Sequence, residues 1–170
     1  MRKSAIAALV GCAVLSLPSA SVAADRGPST PEERKQALQY IRDFETNPLS
    51  SESVQKREWA LKWIIEVPDI HVSMCVILDK LPKGNKKDSS NILVAETFSQ
   101  TAFLIQNPDK QGDLIAQYQA GVEGALKVYE VLLAANPKDR QAFLDDLVQQ
   151  RNQGSLGQWV KQRASASCKN

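Results

Sequence analysis

The 170-residue chain has one histidine, three cysteines, 6% aromatic residues and almost no excess of either charge, with 21 Lys and Arg against 19 Asp and Glu. Each scarcity narrows the function. The single imidazole, His71, allows at most one Ser-His-Asp arrangement, and no Ser or Asp is marked by position as its partner. There is no Gly-x-Ser-x-Gly turn, phosphate-cradling glycine loop, His-Glu-x-x-His, Cys-x-x-Cys or haem-attachment sequence. The balanced charge offers no basic face of the kind that nucleic acid requires, so nucleic acid is not expected as a partner. Past the N-terminal segment, no apolar run approaches the roughly 20 residues of a membrane-spanning helix. What remains is an ordinary globular composition, 43% hydrophobic and 24% charged, at a length that suits one domain.

The N-terminus has a different composition. Arg2 and Lys3 precede an apolar run from Ala5 to Leu17, followed by Pro18, Ser19, Ala20, Ser21, Val22, Ala23 and Ala24. A basic start, a short apolar stretch and small residues at the cleavage spacing read as a secretory signal peptide over residues 1–23. The expected location is therefore periplasmic or extracellular. A competing reading takes Leu9-Val10-Gly11-Cys12 as a sequence that resembles a lipobox, which would tether a lipoprotein through Cys12. Cleavage removes Arg2 and Lys3 and no acid, which leaves 19 basic against 19 acidic side chains. It also leaves two cysteines, Cys75 and Cys168, in an oxidising compartment, and the default expectation is one disulfide between them.

After a polar leader over residues 24–30, apolar residues recur at helical spacing. Thr30-Pro31-Glu32-Glu33 has the order of a capped helix start, and Ala37, Leu38, Ile41 and Phe44 follow as a stripe that ends at Asn47-Pro48. A second helix is expected from Ser50 or Ser51 to Val67, with Val54, Ala60, Leu61, Ile64 and Ile65 inward. Residues 70–78 alternate apolar and polar but also fit a helix. No partner strand is evident and a lone strand leaves its backbone unpaired, so a helix is expected there. Asp79 to Ser90 reads as a solvated loop. The next helix, about Ser89 to Gln106, is apolar on most sides and therefore central, with Glu96 its only charged residue. Long and short amphipathic helices follow from Gln111 to Ala135, Lys138 to Gln153 and after Ser155. The expectation is an all-α single domain of six or seven helices, an orthogonal bundle or short solenoid, over residues 31–163. A loose tail over residues 164–170 would be tethered by Cys168.

Few residues carry chemistry. Glu96, with His71 as a possible second acid or base, would serve a helical cell-envelope hydrolase if an apolar setting raised its pKa. No metal or cofactor is expected. As binding residues, Trp59 and Trp63 share one helix face, and Gly121 and Gly124 interrupt a helix where a neighbour must approach closely or the axis must bend.

Two short resemblances appear. Ala125, Tyr129 and Pro137 resemble the second half of a tetratricopeptide repeat, which implies a peptide-binding helix-pair array; the Asn-Pro pairs at 47–48, 107–108 and 136–137 do not keep its period. Tyr118 to Gly124, with a cysteine near the C-terminus, resembles parts of small helical periplasmic immunity proteins that guard against cell-wall amidases, and implies an inhibitory protein partner. The leading expectation is an exported protein- or ligand-binding module of the cell envelope; the alternative is the Glu96 hydrolase.

Overall fold

The computed structural model describes residues 26–73, 75, 77–81 and 86–168. The expected signal peptide and Cys12 lie outside them. Six α-helices and no strand are found among the described residues: α1 Pro31–Thr46, α2 Ser51–Glu66, α3 Lys86–Gln106, α4 Leu114–Ala135, α5 Ala142–Asn152 and α6 Leu156–Ser167. Two short 3-10 turns, Pro108–Lys110 and Pro137–Asp139, open at prolines that follow Asn107 and Asn136.

The caps are those written in the sequence. The Thr30 hydroxyl accepts from the Glu33 N–H at 3.2 Å, and the Glu33 carboxylate accepts from the Thr30 N–H at 2.9 Å. Ser50 and Asp113 likewise accept from backbone N–H groups of Ser53 and Ala116 and start α2 and α4. The polar leader is fastened rather than loose. Ser29 donates through its N–H and its hydroxyl to Asp69, which also pairs with Arg34 at 2.7 Å. Arg26 reaches Glu33 and Glu66.

The centre is the antiparallel hairpin of α3 and α4. On one side α1 packs through Ile41 and Phe44, whose ring meets Phe98 edge-on at 5.3 Å, and α2 lies on α1. On the other side α5 and α6 close on α4 with Leu144, Leu147, Leu156 and Val160. A smaller cluster of Ala37, Trp63, Val67, Ile70 and Leu104 seals the end where α1, α2 and α3 meet. As expected, α3 is central, but its buried surface is partly polar: Asn91, Glu96, Ser99, Gln100 and Thr101 are all inside.

The structure corrects several expectations. The described residues of 70–78 do not form a helix. The described backbone between α2 and α3 is irregular, and its polar groups find partners sideways instead of along their own chain. Gln111 spans the Asp69 carbonyl at 2.8 Å and the His71 N–H at 3.4 Å, the Ser73 hydroxyl meets the Tyr118 hydroxyl at 2.6 Å, and the Ile77 N–H donates to Glu96. In α2, Val54 and Ile65 point outward, Ile65 being 82% exposed, because α1 covers only the Ala60 and Trp63 side of that helix. The start of α3 lies at Lys86, inside the stretch expected as loop. The C-terminal tail is not loose either: α6 continues to Ser167, and Cys168 caps it through its N–H to the Ala164 carbonyl at 2.8 Å. The Cys75–Cys168 disulfide is formed, with Cα atoms 5.6 Å apart, and pins the irregular segment to the end of α6 across 93 residues.

Candidate functional site

Glu96 lies on the face of α3 that meets α4, 4% exposed. Its carboxyl accepts from the Ile77 N–H, and its Oε1 has no hydrogen-bond partner. Burial, only partly offset by the Ile77 bond, pushes its pKa up to about 7. That is the apolar setting the sequence suggested. The same burial closes it to substrate. The Glu96 main chain is close-packed as well: a Cβ at Gly121 would come 2.9 Å from its carbonyl oxygen and 2.8 Å from Gln100 Cγ. His71 is not assembled with it. His71 is exposed, and its backbone N–H reaches the side chain of Gln111, which precedes α4. Cys75 is committed to its disulfide, and no group of three or more His, Cys, Asp or Glu gathers among the described residues.

The indoles are mostly structural. Trp63 is 2% exposed and stacks on Trp59 with centroids 5.9 Å apart and planes 11° apart, while Tyr40 meets Trp59 edge-on at 5.2 Å. Only Trp59 reaches a surface cleft, a shallow one of about 250 Å³ shared with Tyr40, Glu52, Gln55 and Lys56. Gly121 and Gly124 are both buried against α3 and offer a partner no face of their own. At Gly124 an added Cβ would fall 1.7 Å from Ser99 Oγ and 3.2 Å from Glu45 Oε1. The glycine is where the α3 side chain passes across α4 to reach α1.

That crossing leads to a groove no single segment announced. Between α1, α3 and α4 a depression of about 370 Å³ has an apolar floor of Leu38, Ile41, Ala102 and Phe103. Its walls carry one cation and one anion each: Arg42 and Glu45 on α1, Glu123 and Lys127 on α4. The Ser99 hydroxyl donates to Glu45 Oε1 at 2.6 Å, and Lys127 Nζ reaches Glu45 Oε2 at 3.3 Å. Glu45 is thereby fixed at the groove edge with 16% of its side chain exposed. In sequence these residues look like solvated charges on separate helices; the one available signal was the glycine pair, whose need for a close neighbour pointed to the α3–α4 seam.

No protein family, curated protein or solved structure matches the chain. The residues behind the two short resemblances have roles within the fold. Ala125 and Tyr129 are core, and the Tyr129 hydroxyl donates to Asp145 at 2.8 Å while accepting the Gln141 N–H at 3.0 Å.

Proposed function

We propose that the chain is an exported, disulfide-pinned binding module of the cell envelope whose contact site is the α1–α3–α4 groove. The observation that carries this reading is the groove itself: about 370 Å³, apolar at its floor and lined with positioned charges, within the size range of ligand sites. The disulfide supports the exported location, because such bridges persist mainly in oxidising compartments. Relative to the sequence expectation, the contact moves away from Trp63, Gly121 and Gly124, which are buried, and from Trp59, which is largely packed.

The hydrolase alternative is favoured by the buried setting that raises the Glu96 pKa and opposed by that same burial, which leaves the residue 4% exposed. One experiment separates the readings. The processed, oxidised protein is used to capture partners from a native envelope extract, beside Glu96→Gln and Ala120→Phe, which fills the groove from its α4 lining. Loss of capture in Ala120→Phe with full capture in Glu96→Gln supports the groove. Undiminished capture in Ala120→Phe, or turnover of an envelope substrate that Glu96→Gln abolishes, overturns it.

A further inference from the structure

We infer that the groove takes a zwitterion with an apolar side chain, either a free α-amino acid or the end groups of a very short peptide. This rests on the groove being the binding site. The two walls run in step: Glu45 and Lys127 meet at 3.3 Å, and one turn earlier on the same two helices stand Arg42 and Glu123. That second pair is opposite in sign across the groove, yet it forms no ion pair among the described residues. Each side chain is steadied along its own helix, Arg42 donating to Gln39 Oε1 at 3.0 Å and Glu123 accepting from Gln119 Nε2 at 3.0 Å. These bonds use one of the five guanidinium donors and one acceptor site of the carboxylate, so both retain capacity for a ligand.

Charge selects the ligand class. A simple anion drawn to Arg42 would sit among Glu45 and Glu123, and a simple cation drawn to Glu123 would meet Arg42 and Lys127. A molecule with both charges satisfies both walls, its carboxylate on Arg42 and its ammonium on Glu123, through charge-assisted hydrogen bonds. The apolar floor then takes its side chain, over Phe103, and favours aliphatic over polar substituents.

The test is calorimetric titration of the processed, oxidised protein with leucine, alanyl-leucine, N-acetyl-leucine and leucine amide. Arg42→Gln and Glu123→Gln are titrated alongside, with circular dichroism as the check on folding. Leucine or the dipeptide is expected to bind at millimolar concentration or below, and each capped form about tenfold more weakly. In Arg42→Gln the preference for leucine over its amide disappears; in Glu123→Gln the preference over the N-acetyl form disappears. The tighter of leucine and alanyl-leucine tells the free amino acid from the peptide. Absence of binding by both, or preferences unchanged in the two variants, overturns the inference. If no zwitterion binds while Ala120→Phe still abolishes envelope capture, the ligand class is wrong and the groove reading stands; if Ala120→Phe abolishes neither, both fall.

Discussion

Gly121 and Gly124 lie one turn apart on α4 and admit different groups of α3 to the same helix seam: the Glu96 main-chain carbonyl and the Gln100 side chain at the first, the Ser99 hydroxyl that holds Glu45 at the second. At Gly121 the seam is closed, and Glu96 has a backbone N–H from Ile77 for company and, among the described residues, no cation. At Gly124 the seam opens, and Glu45 is met by the Ser99 hydroxyl and the Lys127 ammonium. The two glycines therefore do different work. The first lets two backbones touch, next to a carboxyl whose own burial raises its pKa and closes it off. The second makes room for a polar contact, which fixes a carboxylate at the edge of a groove. A shifted pKa alone marks the wrong one of these places as functional, because burial raises a carboxyl pKa whether or not a substrate can arrive.

The largest expected effect bears on the closed end, whose Ile77 is carried by the segment that the disulfide pins. Replacing both Cys75 and Cys168 by Ser releases a loop of 93 residues from its constraint and should lower stability by about 4 kcal/mol, read by denaturant unfolding. Amide exchange should rise first around Ile77 and hardly at the Glu45 end. Equal loosening at both ends would break the comparison.

Next comes Gly124→Ala. The added methyl falls on Ser99 Oγ and within 2.4 Å of Ser99 Cβ, which the helix cannot move aside, so a loss of about 3 kcal/mol is expected. In a Ser99→Gly background most of that penalty should vanish, and a double-mutant cycle measures the coupling. Gly121→Ala meets the Glu96 carbonyl and has no such side-chain rescue.

Glu96→Gln has an effect of similar size that depends on pH. The folded-state pKa, near 7, lies above the ordinary 4.5, so the native state holds a proton that the unfolded chain has released between those values. Stability contributed by Glu96 therefore falls as pH rises from about 4.5 to about 7, and the full penalty, ~3 kcal/mol, persists above that. The variant should be more stable than the natural protein by about this amount at pH 8 and equal to it near pH 4. A difference independent of pH would mean that Glu96 does not titrate in this window. Asp69 runs the other way. Burial opposes its charge, but Ser29 and Arg34 hold its pKa below the ordinary value, so its contribution is present at neutral pH and is lost as pH falls through the folded value.

Much of the fold was legible because it is local. The Thr30–Glu33 capping box, the Asn-Pro stops and the apolar stripes place all six helices within a few residues, and the pairing of Cys75 with Cys168 matches the disulfide expected. The segment before α3 was not legible: its backbone is met by Gln111 and Glu96 and its Ser73 hydroxyl by Tyr118, residues 19 to 45 positions away that no periodicity links to it. Ile65 failed for a related reason, since hydrophobicity predicts burial only where another element arrives to cover it. The groove was least legible. Arg42, Glu45, Glu123 and Lys127 sit at helical spacings typical of solvated faces, and only the assembly of three helices turns them toward one space.

The smallest stability effect is also the most informative about the groove. Lys127 is 59% exposed, so its pair with Glu45 is screened by solvent, and Lys127→Met should change unfolding free energy by less than about 1 kcal/mol. Ser99→Ala removes the donor that holds Glu45 from the buried side and should cost about 1 kcal/mol. If Glu45 is positioned for binding rather than for stability, both substitutions weaken ligand capture by more than they weaken the fold, and together they weaken it more than additively, because the carboxylate then loses both of its restraints. Thermal unfolding and titration on the same samples make the comparison. Losses in capture that merely track losses in stability would return Glu45 to the same category as Glu96, a carboxylate held by the fold for the fold's own sake.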